Sequence, residues 1–179
     1  MTCEMIRVEV EPEFVHYLST RHGSEATGAE VVLVLPRPAG RVLMITKTFY
    51  PDSVFRLPTG VMTVGETVAE AFTRESQEET GFLSRPVLQI GTVIIQCCAA
   101  SEFVEITSHI VLGNQVEGTP SPNDLAEGIS GFKEVDASGL RVVADRLQSL
   151  PGRWKGWGRF RAPIHNIVAD FLDAHPLLT

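Results

Sequence analysis

One short segment of this chain, residues 60–82, concentrates acidic side chains at helical spacing. It reads GVMTVGETVAEAFTRESQEETGF, and Glu78 and Glu79 follow Glu75 by three and four residues. Residues at this spacing share one face of an α-helix, so the three carboxylates crowd together. Each like-charged pair costs the bare helix about 0.2–0.5 kcal/mol. A bound divalent cation would offset that repulsion, and carboxylate oxygens suit Mg²⁺ or Mn²⁺ better than zinc.

Local signals predict where this helix begins and ends. Thr67, followed three residues later by Glu70, forms the pattern of a capping box, which starts a helix at about Val68. Gly81 can end the helix as a left-handed C-terminal cap. The segment ahead of the helix is expected to leave a strand and enter a loop at Gly60. Glycine there lets the backbone approach the metal closely, so its carbonyl could serve as a further oxygen ligand of the metal.

The same segment carries glycine, glutamate and arginine at fixed distances. Five residues separate Gly60 from Glu66, seven more separate Glu66 from Arg74, and Arg74 opens the run RESQEETGF. This pattern resembles the Nudix box, the signature of the Nudix hydrolase family, and all seven of its fixed letters are present. Ser76 departs from the pattern, which has a bulky aliphatic residue there that helps to anchor the helix to the sheet.

The resemblance implies hydrolysis of a diphosphate bond in a nucleoside diphosphate linked to another group, as in a nucleotide sugar, a dinucleotide or a nucleoside triphosphate. Glu75, Glu78 and Glu79 match the metal-binding glutamates of the family. Arg74 matches an arginine that orients the box carboxylates, which a guanidinium does through paired hydrogen bonds. Glu75, or a neighbour such as Glu79, is a candidate to orient or deprotonate the attacking water.

Other charged residues are candidates for supporting roles. In some family members the base comes from a distant loop, which here is the polar, glycine- and proline-rich stretch 113–130. The acids in it are Glu117, Asp124 and Glu127. Exposed loop acids are usually only solvated, which is the alternative for each of them. Lys47 and Arg56 are candidates for phosphate contact, with a solvated surface cation as the equal alternative.

The order of the predicted elements favours an α+β fold. A helix over 13–21 precedes two apolar runs, Glu30–Leu35 and Arg41–Thr46, which flank a predicted hairpin turn at 36–40. Beyond the box, strands are predicted at 87–98, 103–112 and 132–135, and helices at 139–150 and 160–175. This order fits an α/β/α sandwich with a mixed β-sheet, the architecture that the Nudix resemblance also implies. We expect the 179 residues to form a single domain, with residues 1–28 as an N-terminal extension.

The amino-acid composition limits which binding partners are expected. With 15 basic and 22 acidic residues the net charge is −7, which disfavours nonspecific binding to nucleic acid but leaves a nucleotide-type substrate open. No apolar run approaches a membrane span, and the first 14 residues are too acidic for a signal peptide, so we expect a cytoplasmic protein without a membrane partner. Three cysteines fit neither a disulfide framework nor a zinc pattern.

A second unusual stretch, residues 153–161, reads RWKGWGRFR, with four cations, three aromatics and no acid. Aromatic faces beside guanidinium groups can stack a base and hold phosphates. The same residues can instead fasten the last helix to the core, or contact a second subunit in a homodimer. For Trp154 and Trp157 the expectation is packing.

Two other functional classes stay open. A ligand-sensing module would bind a nucleotide in the same fold without cleaving it, although a sensor does not need a complete set of metal-binding carboxylates. An interaction domain would bind a partner through the surface of residues 154–160 with or without metal.

Some family members that cleave ADP-ribose carry a proline shortly after the box, whereas here no proline lies between Pro86 and Pro120. This feature therefore gives ADP-ribose no support as the substrate.

Overall fold

The computed structural model describes residues 3–21 and 26–175. The strands of the described residues are β1 (Cys3–Glu9), β2 (Ala26–Val34), β3 (Pro36–Arg37), β4 (Arg41–Lys47), β5 (Thr59–Thr63), β6 (Pro86–Ala99), β7 (Glu102–Gly113) and β8 (Ile129–Val135). The helices are α1 (Pro12–Arg21), α2 (Val68–Thr80), α3 (Ala137–Gln148) and α4 (Lys155–Ala174). Short 3₁₀ turns lie at Leu125–Glu127 and Gly152–Trp154. None of the described helices combines the length and the apolar character that crossing a bilayer requires.

The strands form two sheets. Five strands pair in the order β1-β6-β7-β2-β5, parallel at β1/β6 and β7/β2 and antiparallel at the other two pairings. The second sheet is antiparallel, in the order β3-β4-β8. The larger sheet is therefore mixed, as the sequence predicts.

Helices cover both faces of the larger sheet. Successive residues of a strand point to opposite faces, and β2 shows this alternation clearly. Val32 and Val34 join a core cluster with residues of α1, α3 and α4, whereas Val31 and Leu33 join a second cluster with Phe72 of α2. The fold is thus α+β with an α/β/α layering, and the predicted fold class is confirmed.

The box helix begins and ends as predicted. The Thr67 hydroxyl accepts from the Glu70 backbone N–H, and the Glu70 carboxylate accepts in return from the Thr67 backbone N–H at 2.8 Å. At the other end Gly81 has φ 76°, a left-handed conformation that glycine adopts without a Cβ penalty. These local contacts mark both ends of α2 at the residues that the sequence predicts.

The predicted hairpin at 36–40 is only partly right. The chain does reverse there, but β4 pairs with the two-residue strand β3, and β2 lies in the other sheet between β7 and β5. β2 is a central strand buried on both faces, which explains why its sequence is a continuous apolar run. Sequence alone does not show which neighbour such a run will pair with.

Other elements also differ from the sequence prediction, and three of the differences have a clear physical cause. β1 was not predicted, because only Ile6 and Val8 of this exposed edge strand pack against the core. β5 begins at Thr59, so Gly60 pairs with Val31 inside a strand instead of lying in a loop. The start of α4 lies at Lys155, earlier than the predicted residue 160, because two glycines weaken its helical signal.

Those glycines in α4 are needed for close packing. A Cβ at Gly158 would lie 2.1 Å from the backbone oxygen of Leu147 in α3, and one at Gly156 would lie 3.0 Å from the ring of Phe14 in α1. Neither site has room for a side chain. The glycines that weaken the helical signal therefore allow α4 to approach both neighbouring helices.

Ser76, the departure from the box pattern, gives a test of packing. It is fully buried, and its hydroxyl donates to the Phe82 carbonyl at 2.9 Å. Ser76→Leu removes this hydrogen bond and adds volume, so we expect a loss of about 1–3 kcal/mol in the free energy of unfolding by urea denaturation. The neighbouring Gln77 is exposed, and Gln77→Leu should stay within about 0.5 kcal/mol of wild type. A Ser76→Leu protein as stable as wild type would contradict the tight packing.

Candidate active site

Glu79 of α2 lies at the centre of a buried ion cluster. Its side chain is fully buried, and its Oε1 lies 3.2 Å from Lys47 Nζ and 3.3 Å from Arg56 Nη2. Its Oε2 accepts from the Thr59 backbone N–H at 3.1 Å. A buried carboxylate is tolerated only when it is paired and hydrogen-bonded, and here all of these partners come from outside α2. The structure therefore brings the two predicted phosphate-binding cations to a predicted metal ligand.

Arg56 is held rigidly within this cluster. Its guanidinium donates to the Tyr50 hydroxyl at 2.7 Å, to the Leu57 carbonyl at 2.8 Å and to the Thr59 hydroxyl at 2.8 Å. A planar guanidinium with this many partners has one orientation. Arg56 is buried, so the alternative of a solvated surface cation does not describe it.

Arg74 organises the other box carboxylates. It makes two hydrogen bonds to Glu66, of 2.7 and 3.0 Å, and its Nη1 lies 2.6 Å from Glu75 Oε1 and 2.9 Å from Glu78 Oε2. It also donates to the Val61 carbonyl on β5 at 3.1 Å. One guanidinium thus joins three carboxylates and fastens the face of α2 to the adjacent strand.

Glu75 lies against the backbone of Gly60. A Cβ built on Gly60 would lie only 1.6 Å from the Glu75 carboxyl carbon, so the absence of a side chain there makes room for the carboxylate. Burial raises the pKa of Glu75 to about 7, with a hydrogen bond from Arg74 acting against the shift and the charges of Glu79 and Glu78 adding to it. The three box carboxylates are therefore close enough to repel one another.

The residues present fit a hard divalent cation, although the side chains are not arranged as a finished ligand set. Within residues 3–21 and 26–175, no group of three or more His, Cys, Asp or Glu side chains converges in this way. The box carboxylates are held instead by Arg74, Lys47 and Arg56. Their oxygen chemistry, their mutual repulsion and the bare backbone at Gly60 all suit Mg²⁺ or Mn²⁺.

The loop between β7 and β8 brings one of its three candidate acids to the cluster. The Glu127 carboxylate contacts Lys47 Nζ, which also contacts Glu79. Asp124 instead caps the 3₁₀ turn by accepting from the Ala126 N–H, and the exposed Glu117 accepts from Gln115. Within the described part of the chain, neither of those two side chains forms a hydrogen bond or ion pair with a box residue.

This loop is also fastened to the C-terminal end of α2. The Ser121 backbone N–H donates to the Thr80 carbonyl at 2.8 Å, and the N–H groups of Asn123 and Asp124 donate to the Glu78 carbonyl at 3.0 and 3.2 Å. The final carbonyls of a helix have no partner within it, so the loop satisfies them. A Cβ at Gly81 would lie 2.1 Å from the Ser121 carbonyl oxygen, which gives a second reason for glycine at this cap.

His165 of α4 supports the site and was not among the sequence candidates. Its Nε2 accepts from the Leu57 backbone N–H at 3.1 Å, so the proton is assigned to Nδ1, which lies 2.9 Å from the Arg161 carbonyl. Burial lowers its pKa to about 4, which keeps the ring neutral at neutral pH. Leu57 directly follows Arg56, so α4 holds the backbone that presents this guanidinium. Among five histidines, only the tertiary structure distinguishes this one.

The aromatic and basic stretch mostly packs, as expected. Phe160 is fully buried, and Trp157 is nearly so, with its ring 4.8 Å from that of Tyr50. Arg161 forms a buried ion pair with Glu30, with two contacts of 2.6 and 2.8 Å, so it is committed to the core. Trp154, in contrast, is half-buried at the surface.

The hydrogen bond from Leu57 to His165 can be tested by stability. His165→Leu leaves a buried N–H without an acceptor, which costs about 1–3 kcal/mol, measured by denaturant unfolding. His165→Gln offers an amide oxygen as acceptor and should recover part of that loss. The exposed His16 on α1 provides the control, because His16→Leu should change stability little. Equal destabilisation of the Leu and Gln variants would show that the hydrogen bond contributes nothing.

Comparisons with known proteins agree with this fold. Among solved structures, a NUDIX hydrolase from Nitrosomonas europaea is 20% identical, with a TM-score of 0.57 over 82% of this chain and 88% of that one. The E. coli dihydroneopterin triphosphate pyrophosphohydrolase is 18% identical, with a TM-score of 0.56 over 80% of this chain and 97% of that one. A UDP-X diphosphatase is 14% identical, with a TM-score of 0.56 over 91% and 71%. At these identities the likeness shows the fold alone.

A comparison with curated proteins gave no significant match. A sequence model of the NUDIX domain, however, matches residues 26–151, which is more than half of the chain and includes the whole box. This match confirms the family predicted from the box and its enzyme class, the Nudix-type pyrophosphohydrolases. The chain belongs to the NUDIX family.

Proposed function

We propose that this protein is a metal-dependent hydrolase that cleaves the diphosphate bond of a nucleoside diphosphate linked to another group. The observation that carries the proposal is the carboxylate face of α2, where Arg74 joins Glu75 and Glu78 to each other and to Glu66 of the preceding loop. The names of two similar structures, a dihydroneopterin triphosphate pyrophosphohydrolase and a UDP-X diphosphatase, describe enzymes of the same bond type. The net charge of −7 favours a small nucleotide substrate over nonspecific nucleic acid.

Each residue of the site has a role that follows from its position. Glu75, Glu78 and Glu79, with the carbonyl of Gly60, are the residues that would hold Mg²⁺ or Mn²⁺. A bound cation would neutralise the anionic phosphate oxygens and stabilise charge on the leaving oxygen. Arg74 holds the carboxylates in place. Glu75, or a neighbour such as Glu79, is the candidate to take a proton from the attacking water.

Lys47 and Arg56 form the cationic side of the site. Both lie within 3.3 Å of Glu79 and are presented by backbone that the sheets and α4 hold in place. We assign them to the substrate phosphates, which attract both cations and accept charge-assisted hydrogen bonds from them. Glu127 is the alternative base, because its contact with Lys47 brings it to the cluster.

The proposal is tested by a substrate screen. Nucleoside diphosphate derivatives, nucleoside triphosphates and dinucleoside polyphosphates are incubated with Mg²⁺, and released phosphate or nucleotide is measured. We expect turnover of at least one class, and none after chelation of the metal. Binding of a nucleotide without turnover of any compound would favour the sensing module, and capture of a partner regardless of metal would favour the interaction domain.

Glu78→Gln tests the metal site with little risk to the fold. Glu78 is partly exposed, and its main contact is with Arg74, so the change should cost no more than about 1 kcal/mol of stability. We expect Mg²⁺ to raise the melting temperature of the wild type, because a ligand that binds the folded state stabilises it, and to raise that of the variant less. Turnover at saturating substrate should fall by about 10²-fold.

The matched control is Glu102→Gln, which removes the same charge from an exposed site at the start of β7. It should keep both the Mg²⁺-induced rise in melting temperature and the turnover. If Glu78→Gln also kept both, Glu78 would have no part in the metal site.

Gly60→Ala tests the space that Glu75 occupies. The new methyl group would overlap the Glu75 carboxylate, which is the end of a flexible side chain and can move aside, so the fold should survive. Because a shift of about 1 Å in a catalytic group can cost 10²-fold, we expect a loss of turnover of this order with a small change in melting temperature.

Gly131→Ala on β8 is the control, since its methyl group would meet only the Thr46 methyl, at 3.3 Å. It should retain activity. If the Gly60→Ala enzyme kept wild-type turnover, Glu75 would have no role in the reaction.

A further inference from the structure

A cavity of about 850 Å³ opens beside the cluster of Lys47 and Arg56. Its walls include residues of α1 and of the segment 152–161, both of which lie outside residues 26–151, the part that matches the NUDIX domain. Cavities that bind organic ligands are commonly about 300–1,000 Å³. The space therefore suits a group much larger than a phosphate, and part of its wall lies outside the matched domain.

One wall of the cavity is aromatic. Tyr50 packs against Trp157 and Trp154, with ring centroids 4.8 and 5.7 Å apart, and Phe49 meets Tyr50 edge-on at 5.1 Å. Trp157 is nearly buried, but 57% of Phe49 is exposed. A large apolar ring exposed beside a concave site provides a face on which a planar ligand can stack.

The part of the lining that comes from α1 and from Glu11 just before it is both aromatic and acidic. Phe14 and Tyr17 stack at 5.9 Å, and 48% of Tyr17 is exposed. Glu11 pairs with Lys155 at 3.2 Å, and Glu13 is exposed. Carboxylates accept hydrogen bonds from N–H groups and repel phosphates. The cavity thus combines cationic, aromatic and acidic side chains in one lining.

We propose that this cavity takes the nucleobase of the substrate, with its phosphates towards Lys47 and Arg56; this rests on the proposed function. A nucleobase offers a π-face to Phe49 and Tyr17 and N–H donors to the carboxylates. A sugar lacks the π-face, and an apolar chain lacks the donors. The flanking segments then make the enzyme selective for diphosphates that carry a base.

The test uses the intrinsic fluorescence of the protein. The chain has two tryptophans, and both line the cavity, so their emission is sensitive to a ligand bound there. Full-length protein without added metal is titrated with AMP, GMP, CMP and UMP, and with ribose 5-phosphate, which has no base. We expect saturable quenching by the nucleotides and none by ribose 5-phosphate.

Phe49→Ala should weaken nucleotide binding at least tenfold, since it removes an exposed face without opening the core. Phe103→Ala, which removes an equally exposed ring from β7, is the matched control and should bind as wild type. In turnover assays Phe49→Ala should raise KM for a base-bearing substrate but not for a base-free diphosphate such as 5-phosphoribosyl 1-diphosphate.

Three results would overturn the inference: no quenching by any nucleotide, equal quenching by ribose 5-phosphate, or nucleotide affinity unchanged by Phe49→Ala. The outcome is separate from that of the proposed function, because binding is measured without turnover. An inactive protein that binds nucleotides would refute the hydrolase and keep the base site. An active protein whose fluorescence no nucleotide quenches would support the hydrolase and refute the base site.

Discussion

The buried charge of Glu79 is the constraint on which the site depends. A carboxylate shielded from water requires partners, and its partners are two cations and a backbone N–H from the segment that joins the two sheets. Removing one partner of such a buried pair costs about 3–5 kcal/mol, because the remaining charge is left uncompensated. The charges that would act on substrate therefore also hold α2 against the sheets, and the site cannot form before the two sheets meet.

The parts of the site that were predictable from sequence are those fixed by local contacts. The capping box of Thr67 and Glu70 and the left-handed Gly81 lie within a few residues of what they stabilise, so α2 begins and ends where the sequence places it. The crowding of Glu75, Glu78 and Glu79 likewise follows from helical spacing. Their roles in catalysis stay predictions, because nothing in the fold itself tests them.

What sequence reasoning left open or missed depends on contacts between distant residues. The sequence offered Lys47 and Arg56 equally as phosphate-binding residues and as solvated surface cations, and only the fold brings them to Glu79. His165 was missed because it resembles four other histidines until α4 packs behind Leu57. The glycines of α4 lower its helical propensity, yet Gly158 is required by the proximity of α3. At Gly158 the close packing of two helices outweighs the low helical propensity of glycine. Tertiary packing also decides the pairing of β2, which joins the larger sheet instead of pairing with β4.

The loop that ends α2 has a consequence for motion. Its backbone N–H groups satisfy the carbonyls of Glu78 and Thr80, and its Glu127 contacts Lys47. The last turn of the helix cannot fray without releasing the loop, and the loop cannot lift without exposing those carbonyls. The amide hydrogens of both should thus exchange with solvent in one cooperative opening, which would uncover the carboxylate face and the cationic side of the site together.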